Sequence, residues 1–248
     1  MVNFLLRKYY NKAFSKLNRR VSGLWSDFIN LFYPNLCQSC NNVLFKNETA
    51  ICSRCLYQIP KTNFHLQKNN PVSILFWGRV KIEQATSYFT FSKGSKFQKL
   101  IHKLKYHKRT DIGIEMGKLL AYQLKESDFL LDIDVIIPVP LHPKKEKMRG
   151  YNQAVLIVKG MNEILDIDSD TANLYRSVYT QSQTSKSKME RWENVDNIFR
   201  LHDPSKLEGK HVLLIDDVVT TGSTLEACAQ AILNTKGSKV SIATLAYA

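Results

Sequence analysis

The chain has 248 residues, 44% of them hydrophobic, enough for one medium domain and a small module, and 35 Lys and Arg against 22 Asp and Glu give it a formal charge of +13. No apolar run approaches the ~20 residues of a membrane span, and Arg7 and Lys8 arrive too soon after MVNFLL for a signal peptide, so a cytoplasmic protein without a transmembrane segment is expected. The positive surplus asks for an anionic partner, whether nucleic acid, a polyphosphate ligand or a membrane surface.

Residues 1–33 predict an amphipathic helix, with Phe4, Tyr10, Phe14, Leu17, Val21, Leu24, Phe28 and Leu31 at helical spacing and Pro34 as its stop. Contact with a membrane or partner and docking on the chain itself both fit that pattern. Residues 34–60 hold Cys37, Cys40, Cys52 and Cys55, two C-x2-C pairs separated by eleven residues. Each pair turns two thiolates inward from one tight knuckle, and two knuckles complete a tetrahedral zinc site. Four thiolates close the coordination sphere, so the zinc is expected to be structural, and a reducing compartment disfavours disulfides. The intervening NNVLFKNETAI predicts a short hairpin turning near Lys46 to Thr49. With so few apolar residues, the metal is expected to supply most of this module's folding free energy, about 10–16 kcal/mol in comparable small peptides. Residues 61–78, polar from Lys61 to Pro71, read as a connector.

From residue 79 to 248 the pattern is α/β: strand Ala85 to Phe91, helices Lys96 to Tyr106 and Asp111 to Lys125, and strand Asp134 to Val139. The stretch Ser92 to Thr110 contains Lys93, Lys96, Lys99, Lys103, Lys105, Lys108 and Arg109 and no acid, while Phe97, Leu100, Ile101 and Leu104 form a buried helical face. Its lysines therefore make either a solvated face or a nucleic-acid surface. After the strand, Pro138, Pro140 and Pro143 stiffen a turn that leads into Lys144, Lys145, Lys147 and Arg149, a basic loop suited to pyrophosphate. A helix from Asn152 to Leu165 follows, then strands Leu174 to Tyr179 and Asn197 to Leu201. The hydrophilic segment Arg176 to Phe199 reads as a mobile flap that brings Arg176, Gln183, Arg191 and Asn194 over a ligand, or else as a disordered excursion. Cys228 falls on the apolar face of the last helix and reads as core, and Lys239 to Tyr247 is the final strand.

The stretch His211 to Thr224, HVLLIDDVVTTGST, is the most informative. Val212 to Ile215 suits a strand covered on both faces, and Asp216 and Asp217 stand at its carboxyl end, where open α/β sheets place ligands. Thr220, Thr221, Gly222, Ser223 and Thr224 then form a hydroxyl-rich turn ahead of a helix, whose unsatisfied N–H groups and partial positive charge suit a phosphate monoester. The carboxylates can accept from a vicinal diol or hold a divalent cation through water, so a sugar phosphate satisfies both ends. No P-loop or dinucleotide fingerprint occurs in the chain.

This order of residues resembles the signature of type I phosphoribosyltransferases, which bind 5-phosphoribosyl-1-pyrophosphate (PRPP). The wider set CQSC, CSRC, KLKYHKRTDIG, IIPVPLHPKKEKMRGYNQA, Gln183, ERWENV and VLLIDDVVTTGSTL is similar to the ComF family of bacterial competence and DNA-utilisation proteins. The resemblance implies a zinc ribbon on a type I phosphoribosyltransferase-like parallel sheet flanked by helices. It also implies PRPP binding and a cytosolic role in DNA uptake, with single-stranded DNA or a helicase-like partner at the basic surfaces. An active enzyme is the alternative: magnesium would bridge diol and pyrophosphate while Asp216, Asp217, Arg149 and Arg191 serve as candidate catalytic groups. Against that, Thr220 stands where purine-salvage enzymes carry a proton-transferring Asp. The first cysteine, Cys37, is far from the N-terminus where an amidotransferase would need one, and no hood that selects a nucleobase is recognisable.

Overall fold

The computed structural model describes residues 32–91, 94–177 and 198–248. Most of the 1–33 helix, Lys93, and the flap residues Gln183, Arg191 and Asn194 lie outside them. In chain order the elements are α1 (Ser53–Tyr57), α2 (Pro71–Ile74), β1 (Ala85–Thr90), α3 (Lys96–Tyr106), α4 (Thr110–Lys125), β2 (Val135–Pro138), α5 (Pro143–Arg149), α6 (Gln153–Asn162), β3 (Asp168–Ser169), β4 (Leu174–Arg176), β5 (Phe199–Leu201), β6 (His211–Val219), α7 (Ser223–Leu233) and β7 (Lys239–Tyr247).

Five strands make one sheet in the order β1-β7-β6-β2-β3, every pair parallel. Such a sheet needs both faces covered, and the near-continuous apolar run of β6 supplies them alternately. Leu213 and Ile215 pack with α3, α4 and α6, whereas Val212 and Leu214 pack with α2 and α7. On the first face, a Cβ at Gly117 of α4 would lie 2.1 Å from the Ile157 carbonyl oxygen of α6, so these helices meet backbone to backbone.

The α3 helix forms over the expected residues because Ser95 caps it, accepting from the Gln98 N–H at 3.2 Å, and because Phe97, Leu100, Ile101 and Leu104 are all buried. Residues 61–78, read as a connector, fold onto the domain. Thr90 N–H donates to Pro60 O at 3.0 Å and Thr62 N–H to Tyr88 O at 3.1 Å, so this segment covers the free edge of β1. Val72 and Phe76 are fully buried beneath the sheet, and Asn70 Nδ2 donates to Ala85 O at 2.8 Å.

Two local expectations are corrected. The basic loop after β2 is helical from Pro143 to Arg149, with Pro143 at its first turn and His142 Nδ1 accepting from the Lys144 N–H. Residues 41–51 form no hairpin; a single antiparallel bridge, Leu36 to Val43, precedes the turn, and the second cysteine pair opens α1 instead.

Candidate functional site between strands β2 and β6

The chain leaves β2 through α6 toward one side of the sheet and leaves β6 through α7 toward the other, so the sheet's topological switch point lies between their carboxyl ends, where open α/β sheets bind ligands. Val139 N–H makes the last bond between the two, to Ile215 O at 2.9 Å, while β7 follows β6 as far as Val219. The β6 edge that faces β2 is therefore open from Asp216 onward. Both acids lie within the strand, two residues before its end, because Val218 and Val219 keep pairing with Ala246 and Tyr247.

Strand alternation then separates the carboxylates. Asp216 turns to the α7 side and borders a small open pocket of about 60 Å³, completed by Val218, Val219 and the turn Thr220 to Leu225. Asp217 turns to the α3 side, where Lys105 Nζ lies 2.9 Å from its Oδ2. Asp216 Oδ1 accepts from the Asp217 N–H at 2.8 Å. Burial, then the neighbouring Asp217 charge, pushes the Asp216 carboxyl up to about 7 against the opposing pull of that hydrogen bond and of Lys105. Near neutrality Asp216 is therefore only partly ionised, able to donate to a sugar hydroxyl or to accept from one.

The turn beside Asp216 is tightly constrained. Gly222 has φ +75°, and a Cβ there would stand 3.1 Å from the Phe76 ring, so both backbone and space call for glycine. No side chain caps α7, which leaves its first-turn donors to whatever enters the cavity. Arg79, which the sequence did not single out, braces the turn: Nη1 donates to Thr221 O at 2.7 Å, Nη2 to Ser223 Oγ at 3.3 Å, and the guanidinium pairs with Glu226. This brings the guanidinium, together with the Glu226 carboxylate it pairs with, to the lip of the cavity.

Across the switch point, Lys144 and Lys145 are exposed on α5. Arg149 at its end is held rather than free: its guanidinium lies 5.2 Å from the Tyr106 ring centroid and Nη1 donates to Gln153 Oε1 at 2.7 Å. Arg149 Nε is buried with no partner among the described residues. Tyr151 Oη donates to Leu104 O at 2.5 Å, so the end of α3 is fastened to the segment that follows α5. The described residues on either side of 178–197 pair as the antiparallel strands β4 and β5, with Leu174 and Phe199 buried on the α7 face.

The four cysteines converge independently. Cys37, Cys40, Cys52 and Cys55 place their sulfurs within 4.8 Å of one another, an arrangement able to hold a metal ion. Cys40 and Cys52 sulfurs are 3.6 Å apart. Burial alone would raise the Cys37 thiol, but backbone N–H groups of Cys52, Cys40 and Ser39 bring it down to about 7, whereas burial pushes Cys52 up and Cys55 up to about 12. The module sits on α3, with Lys103 Nζ donating to Gln38 O at 2.8 Å. Cys228 is fully buried on α7.

The sequence matches the family model of the phosphoribosyl transferase domain over residues 150–248. It is 30% identical over 233 residues to the DNA utilization protein YhgH of Shigella flexneri, covering 86% of this chain and 96% of that protein. It is 36% identical over 110 residues to the competence protein ComFC of Bacillus subtilis, covering 44% of this chain and 42% of that protein. Among solved structures, the glutamine PRPP amidotransferase of B. subtilis complexed with ADP and GMP is similar at a TM-score of 0.41 and 20% identity, over 57% of this chain and 30% of that chain.

Proposed function

The chain belongs to the ComF family of competence and DNA-utilisation proteins, and on that premise we propose that it is a PRPP-binding accessory of DNA uptake or external DNA utilisation. The carrying observation is the cavity that Asp216 shares with the uncapped start of α7. In this reading the 5′-phosphate sits on the turn Thr220 to Thr224, the diol meets the Asp216 and Asp217 carboxylates over the open edge of β6, and the pyrophosphate extends toward Arg149, Lys144 and Lys145. Arg149 Nε, buried and without a partner among the described residues, is a donor that would gain from an anion reaching it. Magnesium, carried on the pyrophosphate, would neutralise its charge.

Zinc suits the cysteine cluster, since tetrahedral Zn–S bonds of about 2.3 Å put sulfurs about 3.8 Å apart, close to the 3.6 Å between Cys40 and Cys52. The exposed side of α3 supports a single-stranded DNA contact. His102 lies 4.8 Å from Tyr106 and 5.3 Å from His107 by ring centroids, beside exposed Lys96, Lys99 and Lys108, a mixture of stacking rings and charge. A helicase-like partner and a cytoplasmic location follow from the family role alone.

The alternative is an active phosphoribosyltransferase, in which Asp216, bordering the pocket, would position the sugar diol while an acceptor attacks C1 and pyrophosphate leaves. Calorimetry with PRPP and Mg²⁺ on the wild type and on Asp216→Ala with Asp217→Ala tests the ligand, and a wild type that binds no PRPP removes it. Salt-dependent binding to single strands that survives the double change supports the accessory role. Pyrophosphate release that the same change abolishes supports the enzyme instead.

A further inference from the structure

Lys105 comes from a helix remote in sequence from β6, yet its ammonium lies 2.9 Å from Asp217, with side-chain exposures of 24% and 10%. The helix end that carries it is fixed on three sides. Leu100, Ile101 and Leu104 are buried, the Leu104 carbonyl accepts from Tyr151 Oη, and the Tyr106 ring supports Arg149. A lysine held in this way loses little further freedom in forming the pair, and the pair is too enclosed to be a screened surface contact. The ammonium has three donors and Asp217 takes one, so donors remain for a bound hydroxyl or phosphate.

The same geometry argues against a divalent ion on the acids. Asp216 and Asp217 leave β6 on opposite faces, and Asp217 Oδ2 is already committed to Lys105. Among the described residues, the four cysteines are the one set of three or more His, Cys, Asp or Glu close enough to share an ion. Magnesium on a phosphorylated substrate asks the protein for only one or two carboxylates, and here the Lys105 ammonium already occupies the Asp217 oxygen that would serve.

We infer that Lys105 is the resident cation of the ribose end of this site, a positioning residue that holds Asp217 for the diol and confines any need for magnesium to the pyrophosphate. This rests on the phosphoribosyl reading above. The test is calorimetry on the full chain in magnesium-free buffer, without chelator, using ribose 5-phosphate, which keeps diol and 5′-phosphate but lacks pyrophosphate. Wild type is expected to bind it equally with and without Mg²⁺, while PRPP gains from the ion. Lys105→Met should weaken ribose 5-phosphate by about tenfold or more, ~1.4 kcal/mol, and added Mg²⁺ should restore part of the loss. Lys105→Arg, which keeps the charge, should stay near wild type. A wild type that needs Mg²⁺ for ribose 5-phosphate overturns the inference while sparing PRPP binding, and that arm decides even if Lys105→Met does not fold. Undiminished or tighter binding by folded Lys105→Met also overturns it. Wild type that binds neither sugar phosphate ends the phosphoribosyl reading and this inference together.

Discussion

The cysteine cluster and the proposed sugar-phosphate site at β6 and α7 are built from opposite materials. In the module, four side chains within nineteen residues converge on one point, and the backbone around them is a bridge, a turn and one short helix. At the site, no single stretch suffices. β6 supplies Asp216, α7 its open end, α3 the Lys105 that meets Asp217, and the segment after α2 the Arg79 that braces the turn. A metal knuckle depends on local spacing, whereas a sugar-phosphate site depends on what the fold brings alongside.

The largest expected effect tests whether the two regions are separable. Cys37, Cys52 and Cys55 share one core with Phe97, Leu100 and Leu104 of α3. Exchanging Cys37→Ser and Cys52→Ser should lower bound zinc from about one per chain to nearly none and destabilise the module by a large part of the roughly 10–16 kcal/mol that zinc contributes in small peptides. Because α3 also carries Lys105, PRPP affinity should fall with it. Metal analysis beside calorimetry reads both, and a zinc-free variant that binds PRPP normally would show the regions to be independent.

The contrast also explains what the sequence yields. The α3 helix is legible to the residue because its cap and its buried stripe are both local, and β7 likewise. The end of β6 is not, since it is β7 that carries pairing past the two acids to Val219. Once the strand includes them, period-two alternation puts Asp216 and Asp217 on different faces, a consequence the motif alone conceals. Arg79 lies 142 positions from Thr221, and no short pattern announces such a contact. Lys105 stands in a lysine-rich run where solvent is the ordinary destination, and only its place on the α3 helix turns it inward. The α5 helix was hidden by its prolines, which signal a turn but also open a helix when they occupy its first position.

A middle-sized effect sharpens the comparison through pH. In the unfolded chain Asp216 ionises near 4, whereas in the fold it is pushed up to about 7. Between those values the folded form holds a proton that the unfolded form has lost. Asp216 therefore favours folding fully below about 4, and that contribution disappears as pH rises through about 7. Asp217, Lys105 and Cys228 are the ionisable groups coupled to it. Asp216→Asn should flatten the fall in apo-protein stability between pH 5 and 8 and make the variant the more stable form at pH 8. The gain should be on the order of 2 kcal/mol, allowing for solvent screening of a partly exposed group. Urea midpoints at both pH values measure it, and an unchanged slope would mean that Asp216 is ionised throughout. The cysteine module should not respond to this change.

The smallest effect concerns Arg79, whose pair with Glu226 is only about two-thirds enclosed, with side-chain exposures of 35% and 30%. Such pairs contribute roughly 0.2–1 kcal/mol to stability, so Arg79→Met should shift the unfolding midpoint little. Its hydrogen bonds to Thr221 O and Ser223 Oγ act on the ligand side instead. They fix the turn in the form that presents the start of α7 to a phosphate, and the guanidinium adds attraction for it. Arg79→Met should therefore weaken ribose 5-phosphate severalfold, about 1 kcal/mol, with the loss shrinking as salt rises, while ribose without the phosphate is unaffected. Equal losses for both sugars would move Arg79 from the phosphate to the general framework of the turn. A residue worth more to the ligand than to the fold is what a site assembled from distant segments predicts, and the local cysteine knuckles have no counterpart to it.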